Sequence, residues 1–411
     1  ESTMKVAILH LDLGIGGAEQ LIVNMATVIK ELGHEVTILT SHHDPSHCFE
    51  ETKPNGDSIH VHGDFIPRQI FGKATAFCAI LRMLYLAVVM LLFCDADVVL
   101  LDGVSAPIPL LRLFGAKIIF YCHFPDMLLC YERTSPLKRF YRHFIDSVEQ
   151  YTTGAAHLVL LNSHFTSHIY SQTFPALALH PPRQVLYPVV KEVEVGLSAS
   201  EVGLLTPYCT RCRVFLSLNR FERKKNVQLA IEAFALMLRR GGDTGTDRPL
   251  LVVAGGYDTR VDENVQYLQE LRGVCERLGL RHATLQEGGV NRVGGVDVVF
   301  RRSIPSPERT ALLMQTVALL YTPDREHFGI VPIEGMLLGV PVIAVNSGGP
   351  RETVVHGKTG YLCKQVRYIN IYLYANMYVC ICMYVYICIS GCLDICSLLS
   401  CIHLLSLCFC T

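Results

Sequence analysis

Two carboxylates separated by an apolar, glycine-containing segment form the most informative pattern in this sequence. They are Glu326 and Glu334, and the residues between them read His-Phe-Gly-Ile-Val-Pro-Ile. Proline is favoured in the first turn of a helix, so we predict a helix that begins near Val331-Pro332 and contains Glu334. The backbone amides of Phe328-Gly329-Ile330 would then face a bound phosphate or sugar. Two carboxylates can accept several sugar hydroxyls. The alternative is a helix start with charged surface residues, and the apolar flanks argue against it.

A basic turn offers the complementary charge. The run Asn219-Arg-Phe-Glu-Arg-Lys-Lys-Asn226 has four cations within residues 220–225, directly after the predicted strand Arg213–Leu218. The guanidinium of Arg220 can hold two phosphate oxygens, and Lys225 adds a mobile positive charge. The alternative is a solvated basic turn. The expected position of the turn opposite a glycine-rich loop favours a phosphate site.

That glycine-rich loop is Gly14-Ile-Gly16-Gly17-Ala-Glu19, which follows the first predicted strand and opens the first predicted helix. Gly16 and Gly17 would let backbone N–H groups approach a ligand, and a helix N-terminus favours anionic groups. A tight strand-to-helix turn is an equally good interpretation. Because Ala18 and Glu19 follow the glycine pair, the match to a GxGxxG dinucleotide fingerprint is imperfect.

Further polar residues end other predicted strands. The run Tyr121-Cys-His-Phe-Pro-Asp126 places His123 at the edge of the sheet where α/β proteins bind ligands. A lone histidine is more often structural, so both interpretations stay open. Asn162-Ser163 ends the next strand, and Asn346-Ser-Gly-Gly-Pro-Arg-Glu352 supplies a second turn of exposed amides.

Short β-rich runs alternate with segments of helical periodicity, which predicts parallel, doubly wound sheets. We therefore predict an α/β fold of two Rossmann-like domains that face each other across a cleft. The first domain covers residues 4–185 and the second covers residues 210–363, with a proline-containing polar stretch between them. The predicted strands are Lys5–His10, Glu35–Thr40, Asp97–Leu101, Lys117–Tyr121, His157–Leu161, Arg213–Leu218, Leu250–Ala254, Ala318–Tyr321 and Pro341–Val345.

Two apolar segments stand out. Ala76–Cys94 is interrupted only by Arg82, and its length approaches the roughly 20 residues of a membrane-spanning helix. A central arginine costs about 2.5–3.5 kcal/mol in a bilayer, so a spanning or in-plane membrane helix and an ordinary buried helix are both open. Residues 364–411 form an apolar tail rich in Cys and Tyr. We predict that this tail is non-homologous sequence such as a translated intron, with a membrane anchor as the alternative.

The composition excludes some classes of protein. A net charge of −1 gives no electrostatic case for binding nucleic acid. Many of the 17 cysteines lie in the tail and the others are scattered, which favours a reducing compartment over a disulfide scaffold. Cys209-Thr-Arg-Cys212 is a lone CxxC, more typical of a loop than of a zinc site. We predict no metal site, because Arg220 and Lys225 can replace the charge of a cation.

Together these motifs resemble those of the retaining GT-B glycosyltransferases of family four. That family carries an Arg–Lys pair and an E-x7-E segment in its donor domain, here Arg220, Lys225, Glu326 and Glu334. With the glycine loop and the histidine motif, the chain is similar to the α-1,3/1,6-mannosyltransferases of the dolichol pathway. The resemblance covers about residues 4–363 and rests on four separated motifs in the right order.

The resemblance implies a GT-B fold with an acceptor-side N-terminal domain and a C-terminal nucleotide-sugar donor domain. It implies that mannose moves from GDP-mannose, without a further cofactor, to mannosyl-chitobiose on dolichyl diphosphate, first in α-1,3 and then in α-1,6 linkage. The reaction would take place on the cytosolic side of the endoplasmic reticulum membrane. Other mannosyltransferases of the pathway are expected partners.

The same resemblance implies roles for single residues. Arg220 and Lys225 would hold the diphosphate and stabilise the leaving GDP. Glu326 would contact the mannose, Glu334 the ribose hydroxyls, and His123 the acceptor side near the anomeric carbon. Retention would proceed by front-face attack, with a donor phosphate oxygen taking the proton of the acceptor. The backbone of Gly16, Gly17, Phe328, Gly329 and Ile330 completes the predicted donor site.

The resemblance ends near Tyr361-Leu-Cys363, where the family normally continues through further helices. Gly335 and Gly339 also soften the helix predicted after Glu334. A second hypothesis is therefore a catalytically impaired, truncated isoform that binds only GDP or a partner. A nucleotide-sugar epimerase of the same fold would share the phosphate and ribose contacts but would not need a lipid-facing apolar helix.

Overall fold

The computed structural model describes residues 3–14, 16–45, 48–52, 59–70, 74–130, 133, 135–177, 179–190, 212–239, 248–285 and 295–364. The chain divides into two compact units, Glu1–Val189 and Val190–Thr411, and each is described by itself. Two of the predictions above, on Cys209 of the CxxC motif and on the tail beyond Lys364, fall outside the described residues.

The first unit contains a parallel sheet. Its strands are β1 (Lys5–Leu13), β2 (Glu35–His43), β3 (Ile59–Val61), β4 (Val98–Asp102), β5 (Lys117–Cys122), β6 (Leu158–Leu161) and β7 (Arg183–Val185). Its helices are α1 (Gly17–Glu31), α2 (Thr75–Phe93), α3 (Ile108–Leu113), α4 (Pro136–Gly154) and α5 (His164–Thr173). The strand order is β3-β2-β1-β4-β5-β6-β7, so the order reverses between β1 and β4. Sheets of this kind bind ligands at the carboxyl ends of the strands beside the reversal.

The second unit repeats this architecture. Its strands are β8 (Cys212–Leu218), β9 (Arg248–Gly255), β10 (His282–Leu285), β11 (Val298–Arg302), β12 (Thr316–Tyr321), β13 (Val342–Val345) and β14 (Gly360–Cys363). Its helices are α6 (Val227–Arg239), α7 (Asp262–Leu278), α8 (Ser306–Met314), α9 (Ile330–Leu337) and α10 (Pro350–Thr353). The strands are parallel in the order β10-β11-β9-β8-β12-β13-β14. The reversal lies between β8 and β12.

Apolar side chains pack on both faces of the sheets, because helices cover parallel sheets on two sides. Successive side chains of a strand point to opposite faces. In β8, Phe215 packs into one core cluster with Phe234 of α6, while Val214 and Leu216 pack into another with Leu312 of α8. Apolar packing on both faces of the sheet holds the strands in place. The loops at the carboxyl ends of the strands therefore start from defined positions.

The predicted α/β fold of two parallel-sheet domains is confirmed. All nine predicted strands are present, with bounds that differ by no more than three residues. The prediction missed β3, β7, β10, β11 and β14. Four of these are the edge strands of the two sheets and only three or four residues long. Such short runs show too little alternation to be recognised.

Helix α2 is long and apolar enough to cross a bilayer, by length and composition. Its inner face packs on the sheet, where Met83 and Leu86 are buried. Arg82 is 1% exposed and forms a two-fold ion pair with Asp12 of β1, with N–O distances of 2.7 and 3.1 Å. The outer face exposes apolar side chains, which are Phe77, Leu81, Val88, Leu92 and Phe93. The inner face fits the buried-helix alternative, and the outer face fits a helix in contact with a membrane.

Candidate active site

Two opposite charges meet at the carboxyl ends of β8 and β12, where the strand order of the second unit reverses. Lys225 ends the short 3₁₀ turn Arg223–Lys225 after β8, and Glu326 lies in the loop after β12. Lys225 Nζ is 2.5 Å from Glu326 Oε2, and the two side chains are 17% and 19% exposed. The Thr322 hydroxyl donates to the Lys225 carbonyl at 2.9 Å and joins the two loops. The fold thus brings together two predicted site residues that lie 101 positions apart.

The surroundings of Glu326 keep it ionised. Burial raises its pKa, but the charge and hydrogen bond of Lys225 outweigh burial, and the pKa of Glu326 lies below its usual value. The buried Tyr321 hydroxyl interacts with the same carboxylate. Burial and the charges of Glu326 and Glu334 raise the pKa of Tyr321 well above its usual value, so it remains a neutral donor. Glu326 is therefore an acceptor for hydroxyl groups at neutral pH.

The loop that carries Glu326 is shaped by the turn after β13. The Gly349 amide donates to the Glu326 carbonyl at 2.8 Å, and a Cβ on Gly349 would overlap the backbone of Phe328. Gly329, at φ +89°, precedes α9 in a conformation that favours glycine. The first amides of α9, from Ile330 onwards, therefore lie close in sequence to Glu326. A helix N-terminus of this kind stabilises phosphate or partial negative charge.

Glu334 has a partner that the sequence analysis did not single out. It lies within α9 and forms an ion pair with Arg309 of α8. Burial raises the pKa of Glu334 and outweighs the opposite effect of Arg309. A ligand hydroxyl at this carboxylate would share it with the guanidinium. No signal in the sequence pointed to Arg309, because nothing local relates it to Glu334.

The other cations of the basic turn have different surroundings. Arg223 donates to Glu270 at 2.6 Å, and Lys224, whose side chain is 72% exposed, pairs with Glu222 at 3.2 Å. Arg220 is 60% exposed and lies 3.6 Å from Glu222. The solvated-turn alternative therefore describes Arg223 and Lys224. Arg220 keeps an exposed guanidinium that a phosphate can approach.

In the first unit, His123 lies beside two residues that the sequence analysis did not single out. Asp102 ends β4 and His10 lies in β1, on the two sides of the strand reversal. Asp102 Oδ2 is 2.8 Å from His10 Nδ1, and Asp102 Oδ1 is 2.6 Å from His123 Nε2. Burial raises the pKa of Asp102, but His123 and His10 outweigh it and hold the pKa well below the usual range. An aspartate that ends the apolar run Val-Val-Leu-Leu was the available signal.

The glycine loop contains a close approach of its own. Gly16 precedes α1, and a Cβ at this position would overlap the Glu19 carboxylate. An anion bound at this helix N-terminus would therefore lie close to the negative charge of Glu19. Gly16 and Gly17 belong to the first unit, whereas the residues from Arg220 to Glu334 belong to the second. Their combination into one donor site remains a prediction.

Within the described ranges, no group of three or more His, Cys, Asp or Glu side chains is placed to hold a metal ion. Arg220 and Lys225 are cations that can hold a diphosphate. The expectation of a site without metal stays a prediction.

Glu149 of α4 holds the turn that follows His123. Its two carboxyl oxygens accept the backbone amides of Asp126 at 2.6 Å and Met127 at 2.9 Å. Burial raises the pKa of Glu149 from 4.5 to about 7. A carboxyl whose pKa is raised by folding stabilises the fold in its protonated form. This contribution is complete below about pH 4.5 and is lost as the pH rises through 7.

We expect Glu149→Gln to remove this pH dependence. Through this one group, the free energy of unfolding of the unmodified chain should fall by up to about 3 kcal/mol between pH 4.5 and 8. Glutamine does not titrate, so any loss of stability that the substitution causes is the same at every pH. Urea unfolding from pH 5 to 8 measures, for the unmodified chain and for the variant, the slope of the free energy of unfolding against pH. Glu31→Gln, at an exposed carboxyl, is the control and should keep the original slope. Equal slopes for all three proteins would contradict the prediction.

Comparison with known proteins identifies two families along the chain. Residues 15–181 match Glycosyltransferase Family 4, and residues 210–371 match Glycosyl transferases group 1. The alpha-1,3/1,6-mannosyltransferase ALG2 of Dictyostelium discoideum is 45% identical over 381 residues, which cover 88% of this chain and 87% of the relative. The enzyme of the same name from Saccharomyces cerevisiae is 42% identical, with 85% and 71% covered. The Mus musculus enzyme is 42% identical, with 87% and 84% covered.

Solved structures of glycosyltransferases share the fold. Sucrose-phosphate synthase from Thermosynechococcus elongatus has a TM-score of 0.62 at 16% identity, covering 92% of this chain and 90% of that one. Anabaena HepE in complex with UDP and glucose has a TM-score of 0.61 at 18% identity, with the same coverage. The trehalose-6-phosphate synthase OtsA has a TM-score of 0.61 at 12% identity, covering 85% and 86%. At these identities the likeness concerns the fold alone, and it confirms the predicted GT-B class.

Proposed function

Because the chain belongs to the family of alpha-1,3/1,6-mannosyltransferases, we propose that Lys225, Glu326 and the loops around them bind GDP-mannose as the donor. The chain is a glycosyltransferase of N-glycan precursor assembly. The comparisons give no support to the alternative of a truncated isoform that binds only GDP or a partner.

The observation that carries the proposal is the contact between Lys225 and Glu326 at the strand reversal. A cation for phosphate and an anion for sugar hydroxyls lie 2.5 Å apart. In a nucleotide sugar the phosphate is bonded directly to the anomeric carbon, so the phosphate charge lies close to the sugar hydroxyls. One ligand can therefore contact Lys225 with its phosphate and Glu326 with its sugar. A site for phosphate alone would not need a buried carboxylate beside its lysine.

The charges of the site define the role of each residue. Arg220 and Lys225 stabilise the negative charge that develops on the leaving GDP. The low pKa of Glu326, set by Lys225 against the effect of burial, makes it an acceptor for mannose hydroxyls and unsuited to act as a general acid. Glu334, together with Arg309, binds the ribose. The amides of Phe328, Gly329 and Ile330 lie beside the sugar.

The stereochemistry follows from this distribution of roles. Glu326 is held by Lys225 as a hydrogen-bond acceptor, and we assign it neither the nucleophile nor the acid of a two-carboxylate hydrolase. The proposed reaction is a front-face attack with retention of configuration. A donor phosphate oxygen takes the proton of the attacking acceptor hydroxyl, and GDP leaves with the bond electrons.

The acceptor of this family is a lipid-linked oligosaccharide, and N-glycan precursor synthesis is a process of the endoplasmic reticulum. We place the reaction at the cytosolic side of that membrane, with mannosyl-chitobiose on dolichyl diphosphate as acceptor. The exposed apolar face of α2, which includes Leu92 and Phe93, supports contact with lipid. Other mannosyltransferases of the pathway are the proposed protein partners.

The test is transfer of labelled mannose by the purified full chain. With GDP-mannose and mannosyl-chitobiosyl diphosphodolichol in liposomes, we expect products that carry one and then two further mannoses, both in α linkage. UDP-glucose in place of GDP-mannose is the control donor. Calorimetry with GDP measures binding separately. Binding of GDP without any lipid product would favour the isoform that only binds, and preference for another donor would refute the GDP-mannose assignment.

A further inference from the structure

We propose that His10 is a charged positioning residue, which neutralises Asp102 and thereby leaves His123 uncharged, with its Nδ1 available to accept a hydrogen bond from a sugar hydroxyl. The sugar as ligand rests on the proposed function. The charge states of the three residues rest on the geometry of the first unit alone.

The two contacts of His10 determine its protonation. Its Nδ1 lies 2.8 Å from Asp102 Oδ2, and its Nε2 lies 3.0 Å from the Asp12 carbonyl oxygen. An ionised carboxylate and a carbonyl oxygen can only accept hydrogen bonds. Each ring nitrogen must therefore carry a hydrogen, which makes His10 an imidazolium. A neutral ring would leave one bare nitrogen against an oxygen.

The burial of the cluster requires the positive charge of His10. Asp102 is 3% exposed and His10 is 6% exposed, so a lone carboxylate here would be costly. Burial lowers the pKa of His10, but the hydrogen bond and charge of Asp102, with a smaller effect of Glu19, outweigh burial and raise it. The pKa of Asp102 is held low. The two residues form a buried ion pair.

His123 is the third member of the cluster. Its Nε2 is buried and lies 2.6 Å from Asp102 Oδ1, without the angle of a well-directed hydrogen bond. Two bare acceptors at that distance would repel each other, so Nε2 carries a hydrogen. Because His10 already balances the charge of Asp102, His123 needs no second proton. Its Nδ1 is then a bare nitrogen that can accept a hydrogen bond.

Neighbouring groups leave this charge balance intact. The ring of Tyr121 lies 4.9 Å from the ring of His123 and restrains it, and the Tyr121 hydroxyl donates to the Leu186 carbonyl at 2.8 Å. Burial raises the pKa of Tyr121 and of Cys122 well above their usual values, so both stay neutral. The charge of Asp102 adds to this effect at Tyr121, and the charges of Glu149 and Asp102 add to it at Cys122. Glu19 faces His10 from α1 and adds to its stabilisation as a cation.

The consequence for the reaction is a pH requirement. A neutral His123 can accept a hydrogen bond from a sugar hydroxyl, whereas an imidazolium can only donate. Acid therefore removes this contact when it protonates Nδ1. His10 and Asp102 set the net charge beside the ring of His123, although neither residue needs to touch the substrate.

Two variants should move the acidic limb of the pH profile, the range in which kcat/KM falls as the pH is lowered, in opposite directions. His10→Gln removes the cation, so the charge of Asp102 acts on His123 and the limb moves to higher pH by about 1 unit or more. Activity should recover when the pH is raised. Asp102→Asn removes the anion, and the limb moves to lower pH. Ser105→Ala, at a buried hydroxyl that bonds to Thr152, is the control and should leave the limb in place.

A purely structural role for His10 and Asp102 would lower activity equally at every pH and leave the limb unmoved, and this result would overturn the proposal. A second measurement is independent of transfer. In the full chain labelled with ¹⁵N-histidine, we expect both ring nitrogens of His10 to be protonated at pH 8 and His123 to be protonated only at Nε2. A bare nitrogen on His10 would refute the proposal. If no protein transferred mannose, the proposed function would fail, and the nitrogen spectra would still decide the charge states.

Discussion

Replacing Lys225 by methionine should nearly abolish mannose transfer and weaken the second unit at the same time. The ammonium lies 2.5 Å from the Glu326 carboxylate, and both side chains are largely buried. Removing one partner of such a pair leaves an uncompensated charge, which costs about 3 kcal/mol of stability. Loss of a charged phosphate contact should weaken GDP binding about 10- to 100-fold. Loss of leaving-group stabilisation should lower kcat by about a further 100-fold.

The companion variant Glu326→Gln separates the two roles. It keeps the shape of the side chain and removes its charge, so Lys225 remains for the diphosphate. We expect GDP affinity to be retained and kcat to fall about 100-fold, because a neutral amide orients the sugar hydroxyls less strongly. In the double variant the stability cost should be smaller than the sum of the two single costs, because no charge is left unpaired.

The measurements are calorimetry with GDP, transfer of labelled mannose and urea unfolding. Lys224→Met is the matched control, because Lys224 is the neighbouring lysine of the same turn but its side chain is 72% exposed and pairs with Glu222. It should change each quantity by little. If Lys225→Met bound GDP as tightly as the unmodified chain, its assigned phosphate role would be wrong.

The sequence could predict which residues end strands, because an apolar run followed by a polar turn is a local signal. Lys225 was predicted in the turn after the strand Arg213–Leu218, whereas Glu326 was predicted just before a helix. Their contact depends on β8 and β12 being neighbours in the sheet, and strand order is not encoded in the periodicity of either strand. The resemblance to a family supplied that relation.

The same reason explains what was missed in the first unit. His10 sits in a predicted buried strand and Asp102 ends another, so each is locally a single polar residue in an apolar run. A buried charge needs a partner, and this rule could have marked both residues. The rule does not say which strands are adjacent, and the partners are 92 positions apart. Arg309, the partner of Glu334, was missed because it lies on a different helix.

The second prediction of large effect concerns Gly349, which lies in the turn after β13. Its amide donates to the Glu326 carbonyl, and its Cα lies so close to the backbone of Phe328 that a Cβ would overlap it. Backbone atoms cannot rotate away as a flexible side chain can. Gly349→Ala must therefore displace either the turn after β13 or the loop that carries Glu326.

We expect Gly349→Ala to cost about 3 kcal/mol in the free energy of unfolding, as overpacking against rigid groups does. A shift of about 1 Å at Glu326 should also lower kcat/KM by about 100-fold. Gly273→Ala is the matched control, because a Cβ in the middle of α7 would meet only the end of the Arg277 side chain, at 3.4 Å. In a helix this change should stabilise by about 0.5–1 kcal/mol. Urea unfolding and mannose transfer measure both variants, and a Gly349→Ala protein with unchanged kcat/KM would show that the loop does not position Glu326 for transfer.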